Sequence, residues 1–305
     1  MKREIREPYV FSSISELHRA LNLPKPLHPL ISLVDYSKVK SIPSEFETPL
    51  MLNFYKISYK SNFYGKIKYG QSYYDFDEGG LFFIALNQIL SSSLEEKKYA
   101  GYTLLIHPDF FRNYALGKNI KNYHFFSYSA NEALHLSEKE KNIIFSVFEN
   151  IERELTAAID DFSQDVMISY IEVLPNYSNR FYKRQFITRK AVNNDLLEKV
   201  EQLLNSYFRD EIAVMKGLPT VQFLSDELNV SPHYLSDVLR SLTALNAQQH
   251  IHQRLIEEAK EHLSSTNLTV AEIAYRLGFE RPQSFNKLFK NKTRLSPLEF
   301  RESFN

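Results

Sequence analysis

Apolar and polar residues alternate in short runs along the first third of the chain. Leu50 to Tyr59 (LMLNFYKISY), Phe63 to Tyr74 (FYGKIKYGQSYY) and Leu81 to Leu86 are rich in the aromatic and β-branched types that fill a pleated, half-buried surface. Asp77-Glu78-Gly79-Gly80 supplies a turn between the last two runs. Short antiparallel strands separated by turns predict a sandwich or small barrel over residues 1–135. At Ser137 the period changes from two to about 3.6. Ser137 and Glu140 have the spacing of a capping box, and Ile144, Val147, Phe148, Ile151 and Leu155 behind them share one stripe. A second helix is expected from Asp165, with Val166, Met167, Tyr170, Ile171 and Leu174 on its buried side, ending before Pro175. Such a hairpin either covers the sheet or makes a subunit contact; a single stripe suits both.

Residues 183–190 (KRQFITRK) carry four positive charges and no acid, and the pattern beyond them is almost wholly helical. A solvated linker at 183–192 therefore separates a first domain, 1–182, from a second, 193–305. The second opens with a helix from Asp195 to Phe208, capped by Asn194, and closes with one from Leu298 to Phe304, where Ser296 and Glu299 form a capping box.

Between these helices the chain repeats itself. Val221 to Leu245 (VQFLSDELNVSPHYLSDVLRSLTAL) can be laid over Val270 to Leu295 (VAEIAYRLGFERPQSFNKLFKNKTRL), Leu224 on Ile273, Ser225 on Ala274, Leu228 on Leu277 and Asn229 on Gly278. After one inserted residue, Leu235 falls on Phe285, Val238 on Leu288, Leu239 on Phe289 and Thr243 on Thr293. Each copy has the physical marks of a helix-turn-helix. Ser225 or Ala274 leaves room for a crossing helix, and Asn229 or Gly278 tolerates the left-handed turn. Ser231-Pro232 in one copy and Pro282 in the other open the second helix. The connecting segment places Ile251, Leu255, Ala259 and Leu263 on one stripe. Capped by Asn246 and running to about Ser264, it predicts a rod of roughly 28 Å at 1.5 Å per residue. That length suits two recognition helices set near the ~34 Å spacing of successive major-groove faces.

The stretch from about Asp195 to Phe304 resembles the DNA-binding domain of the AraC/XylS family of bacterial transcription regulators. NVSPHYLSDVLR, TVAEIAYRLGFERPQSFNKLFKNKT and LSPLEFR carry the likeness, with Arg254, Leu255 and Ala259 in the connecting helix. Ala244 and Arg294 stand where the family usually has Gly. The resemblance implies an α+β protein: a cupin-like N-terminal barrel with a helical pair, then an all-α tandem helix-turn-helix domain. It implies double-stranded promoter DNA, a second copy of the chain, RNA polymerase and a small-molecule effector as partners, and activation in preference to repression.

By the same resemblance His233, Ser236 and Asp237 on the first recognition helix, and Gln283, Ser284 and Lys287 on the second, face bases. Their chemistry suits this, since Gln can pair with adenine, Lys donates to guanine and Asp accepts from cytosine. Arg240, Arg281, Lys290, Lys292 and Arg294 are expected on phosphates, which position without specifying.

Charge sharpens the contrast between the copies. Arg276, Arg281, Lys287, Lys290, Lys292 and Arg294 oppose only Glu280 within 276–294, whereas Arg240 alone opposes Asp226, Glu227 and Asp237 within 220–243. Non-specific affinity is therefore expected to rest on the second copy.

The chain has 305 residues, enough for two domains at about 150 residues each. With 43% hydrophobic residues it is too apolar for disorder, and 37 basic against 37 acidic residues exclude a uniformly basic coat protein. The absence of Cys removes thiolate nucleophiles, Cys-held zinc, iron–sulfur clusters and disulfides; 8 glycines are few for Gly-rich phosphate loops. MKREIREPYVF lacks the apolar core of a signal peptide, and Leu81 to Leu86 is far short of a membrane span, so a cytoplasmic, soluble protein is expected. His250 and His252 are two apart and point to different faces of a helix, so packing outweighs metal binding there; His18, His28, His107, His124 and His135 are scattered. Acids at Asp75, Asp77 and Glu78 read as solvated turn residues. No catalytic residue, metal ligand or cofactor is nominated, and the effector-binding residues stay unassigned. Two rival readings remain: a regulator whose N-terminal domain makes only protein contacts, and a cupin-type enzyme with an appended DNA-binding module.

Overall fold

The computed structural model describes residues 8–39, 49–61, 63–69, 72–76, 80–90, 100–129 and 132–303. The turn expected at 77–79 and the last residue of the helix expected to reach Phe304 lie outside them. By its contacts the chain divides into Met1–Gln185 and Phe186–Asn305, one rich in strands and one wholly helical, an α+β protein.

The first unit contains β1 (Tyr9–Phe11), α1 (Ile14–Ala20), β2 (Ile31–Asp35), β3 (Leu50–Leu52), β4 (Tyr55–Ser61), β5 (Phe63–Tyr69), β6 (Ser72–Phe76), β7 (Gly80–Ile84), β8 (Ile89–Leu90) and β9 (Ala100–Ile106). Two short helices, α2 (Pro108–Phe111) and α3 (Ala115–Asn119), lead to β10 (Leu134–His135), α4 (Glu138–Thr156) and α5 (Ser163–Thr188). Five strands form an antiparallel sheet in the order β10-β7-β4-β9-β2; β1-β3-β8 and β5-β6 form two smaller ones. The LMLNFYKISY run is two strands, since β3 pairs in the three-stranded sheet, parallel to β1, while β4 sits at the centre of the larger one. FYGKIKYGQSYY likewise falls into β5 and β6, with Tyr69 opposite Ser72. The two faces of the large sheet differ. Ile57, Tyr59, Leu81, Phe83 and Leu104 make one apolar, with Tyr59 meeting Phe145 of α4 and Phe83 meeting Tyr182 of α5.

The α4 capping box forms as expected: Glu140 N–H donates to Ser137 Oγ and Ser137 N–H to Glu140 Oε2 at 2.8 Å. Two expectations fail nearby. First, α5 does not stop before Pro175 but carries it internally. An interior Pro costs a helix about 3 kcal/mol, yet Phe181 and Tyr182 beyond it are buried with Ile171 and Leu174, and their packing outweighs that cost. Val166, expected inside, is 37% exposed and Ile168 is buried in its stead, while Met167 is buried as expected. Second, the stretch 183–192 is not a solvated linker. It is helical, running from α5 through Arg189 into α6 (Lys190–Arg209). Arg184 is held by Glu140 at 2.5 Å and by the His135 carbonyl at 2.7 Å, so its charge is neutralised on the sheet domain. Lys183 and Arg189 of the same run are exposed.

The second unit continues with α7 (Ile212–Lys216), α8 (Val221–Leu228), α9 (Pro232–Thr243), α10 (Ala247–Ser265), α11 (Val270–Arg276), α12 (Pro282–Thr293) and α13 (Pro297–Glu302). The first helix of this unit starts at Lys190, before the expected cap at Asn194. Among the described residues no helix is long and apolar enough to cross a membrane.

Candidate nucleic-acid interface

Each copy of the repeat folds as two helices about a left-handed turn. Thr220 caps α8 by accepting from Phe223 N–H at 3.0 Å, and the helix ends at Asn229 with φ 55°. Ser231 then caps α9, with Pro232 at its first position. In the second copy Thr269 and Glu272 form a capping box on α11, and the turn residue is Gly278 at φ 91°. Arg281 precedes α12 without a side-chain cap bond, so Pro282 alone marks that start, in contrast to the Ser231-Pro232 pair expected to be matched. Ser225 and Ala274 are both buried at the helix crossing.

Two apolar cores lie along α10. Leu224, Leu235, Leu239, Ala247 and Ile251 form one with Val200 and Leu204 of α6. Leu255, Ala259 and Leu263 belong to the other, with Ile273, Ala274, Phe285 and Phe289. One continuous helix, capped by a reciprocal Asn246–Gln249 box, thus contributes side chains to both units. From α13, Arg301 donates to the carbonyls of Leu263 at 3.2 Å and Leu268 at 2.6 Å, closing the second unit.

The expected base-facing positions differ in exposure. His233, Gln283, Ser284 and Lys287 are exposed near the starts of α9 and α12, while Ser236 and Asp237 are half-buried. Asp237 is tied to Arg240 at 2.8 Å, so an expected base reader and an expected phosphate contact neutralise each other in the free protein. Arg281, Lys290, Lys292 and Arg294 are exposed, and none of them, nor Lys287, forms an ion pair among the described residues. Arg276, counted in the same basic run, is paired with Glu211. The electrostatic difference between the copies therefore lies in unpaired charge as well as in composition.

Both recognition helices end on non-glycine residues in the left-handed region, Ala244 at φ 63° and Arg294 at φ 70°. In each case the preceding Thr fixes the bend. Thr243 Oγ1 donates to the Leu239 carbonyl and accepts from Leu245 N–H; Thr293 does the same with Phe289 and Leu295. The turn a Gly would make is thus kept, at a conformational cost. His250 adds a bond to Thr243 at 2.8 Å, a link that the sequence pattern did not indicate, and its pKa is lowered by burial against the opposing pull of Glu201. His252 contacts Gln248 instead, at 3.0 Å. Burial and the Lys292 charge lower its pKa.

Two helix-turn-helix units strung on one helix define the second unit as a tandem helix-turn-helix domain. Residues 224–303 match a family model described as "Helix-turn-helix domain". Over 145 residues the chain is 29% identical to the uncharacterized HTH-type transcriptional regulator YdiP of Escherichia coli K12, covering 48% of this chain and 44% of YdiP. Over 121 residues it is 26% identical to the HTH-type transcriptional activator RhaS of Salmonella newport, covering 39% of this chain and 41% of RhaS. The chain thus spans less than half the length of these curated relatives. The C-terminal domain of the response regulator yesN from Fusobacterium nucleatum is 28% identical, over 33% of this chain and 96% of that domain, with a TM-score of 0.29. Residues 224–303 thus form a helix-turn-helix domain similar to those of HTH-type transcriptional regulators.

Proposed function

We propose that the protein is a sequence-specific transcription regulator that binds double-stranded promoter DNA across two successive major-groove segments. The observation that carries this reading is the shared rod: α9 and α12 are built on one helix, with His233 exposed at the start of α9 and Gln283 and Ser284 exposed at the start of α12. In a helix-turn-helix such a helix start enters the major groove. His233, Ser236 and Asp237 then read bases from α9, and Gln283, Ser284 and Lys287 from α12. Arg240, Arg281, Lys290, Lys292 and Arg294 sit on phosphates, with Arg240 leaving Asp237 on binding. The N-terminal unit serves dimerisation and the sensing of a small molecule, and the regulator acts as an activator through RNA polymerase; the name of RhaS favours that sign.

The test is selection of duplexes from a random pool by the full chain, followed by footprinting. Two protected major-groove segments per chain, about 34 Å apart, are expected. A single protected segment, or none, overturns the reading.

A further inference from the structure

The five-stranded sheet ends at β2, and α4 packs over the face beside that edge. In register Leu33 lies opposite Leu104 and Asp35 opposite Tyr102, so both point to the helix side. Tyr102 meets two rings of α4 there, with centroids 6.1 Å from Phe145 and 6.1 Å from Phe148. Between strand and helix a groove of about 370 Å³ remains. Its floor is Leu33, Tyr102, Phe145 and Phe148, of which only Phe148 is fully buried. Its rim is Asn142, Ser146, Glu149 and Glu152, all exposed and recurring every three or four residues along one side of α4.

The groove is negative as well as aromatic. Burial, then the charges of Asp35, Glu152 and Glu149, raise the pKa of the Tyr102 phenol. Glu152 forms no ion pair among the described residues, and Glu149 has only Arg153 at 3.9 Å, with both side chains largely in solvent. Such a pair is worth little. Asp35 accepts from Ser37 N–H at 2.9 Å and meets no cation. An aromatic floor below two carboxylates complements a guanidinium: its plane stacks on a ring while its fork of N–H donors meets the acids. An ammonium is a compact, strongly hydrated charge and uses that geometry less well. Because the rim is exposed, a free small cation would stay largely wet, whereas ligand pockets enclose most of their occupant. A side chain presented by a folded partner needs no such enclosure, since neighbouring contacts exclude water around it. Past the end of α4 the chain offers such neighbours, Ile159 at 85% and Phe162 at 70% exposure, flanking Asp160 and Asp161.

We propose that the groove between β2 and α4 is a docking site for an arginine side chain of a partner protein, whose guanidinium lies on Tyr102 and Phe145 and pairs with Glu149 and Glu152. The two acids are three residues apart on a helix, which puts their Cβ atoms about 5–6 Å from each other. One guanidinium, with five N–H donors in a fixed plane, can engage both. The stem of the arginine covers Leu33, and Asn142 and Ser146 are left to bond the partner's backbone. The surface belongs wholly to the first unit and needs neither DNA nor an effector.

The full chain is titrated with a peptide that carries one arginine between two leucines in a neutral glycine–serine frame. Parallel peptides carry lysine, citrulline or glutamate in its place, and free arginine amide is a further probe. NMR signals of Leu33, Tyr102 and Phe145 are followed. The arginine peptide is expected to shift them saturably, the lysine peptide more weakly, and the citrulline and glutamate peptides not at all. Glu149→Gln combined with Glu152→Gln is expected to weaken the arginine peptide by roughly tenfold or more. Ser146→Arg, which adds a cation to the exposed rim, is expected to abolish its binding while hydrogen exchange in α4 stays as in the wild type. No shift by the arginine peptide overturns the site, as does equal binding of the citrulline peptide to the wild type or unchanged affinity in the double variant. Arginine amide bound as tightly as the peptide overturns the occupant in favour of a small cation. A dimer that Ser146→Arg dissociates overturns it in favour of a second copy of the chain.

Discussion

Replacing Gly278 by Ala places a methyl group where the second helix-turn-helix has backbone. An added Cβ would stand 2.6 Å from the Gly217 carbonyl carbon, 2.8 Å from its oxygen and 2.9 Å from the Ala213 carbonyl oxygen. None of these atoms is the end of a flexible side chain, so α7 or the turn itself has to move. The φ of 91° adds a second cost: a left-handed conformation costs an L-residue about 1–2 kcal/mol. Overpacking costs about 1–3 kcal/mol, and the lower entropy of the unfolded chain returns about 0.4–1 kcal/mol. The net is a destabilisation of about 3 kcal/mol, or roughly a hundredfold in the opening equilibrium. Asn229→Ala is the internal control. Asn229 holds the same turn in the first copy at φ 55° with its Cβ already accommodated, so no overpacking arises there and the conformational contribution is about 1 kcal/mol. Hydrogen exchange of amides in α11 and α12, compared with those in α8 and α9, reads the two effects separately within the full chain. If Gly278→Ala costs no more than Asn229→Ala, the close approach to Gly217 does not constrain the fold.

Ala244→Gly relieves a left-handed residue and removes only a methyl group, so chemical denaturation should show a gain of about 0.5–1 kcal/mol; a decrease would mean the unfolded-state entropy dominates. Ser225 Oγ is buried without a hydrogen-bond partner at the position where the second copy has Ala274. Ser225→Ala should therefore be neutral or stabilising by up to about 1 kcal/mol, and a marked destabilisation would reveal an unseen partner. In duplex titrations at several salt concentrations, Lys290→Ala should flatten the log–log slope by about 0.9 while Ser236→Ala leaves it unchanged; equal slopes would remove the electrostatic asymmetry. Glu272 and Glu299 are held below the usual carboxylate range by N–H groups of Thr269 and Ser296. Their folded pKa values are depressed, so their stabilisation is present above the unfolded value of about 4.3 and is lost as pH falls through the folded one. Melting temperatures between about pH 5 and 3 should fall less steeply in Glu272→Gln, and an unchanged slope would show that this cap does not titrate.

What was legible in the sequence is what local physics decides. Ser137, Asn246 and Ser296 announce their caps because a side chain reaches only three residues onward, and the stripe from Ile251 to Leu263 needs only the helical period. Asn229 and Gly278 betray their turns because few residues accept that backbone. The illegible features are settled by partners distant in the chain. Nothing near Asn53 says that β3 and β4 join different sheets, since their partners are Phe11 and its neighbours on one side and β7 and β9 on the other. Pro175 reads as a stop until the buried aromatics beyond it are counted. Asp237 and Arg240 read as two ligands for DNA although their spacing of three on a helix already allowed a pair.

Because Ile251 belongs to one core and Leu255 to the next, α10 has no stretch of slack between them. Inserting a single residue there would swing one head about the rod by some 100° and advance it by about 1.5 Å, so the two could no longer address the same side of a duplex. On the proposed reading, substitutions in α9 and α12 would retune what is read, letter by letter. The count of residues separating the heads would admit no such drift, because the length of this segment would then be tied to the pitch of the double helix.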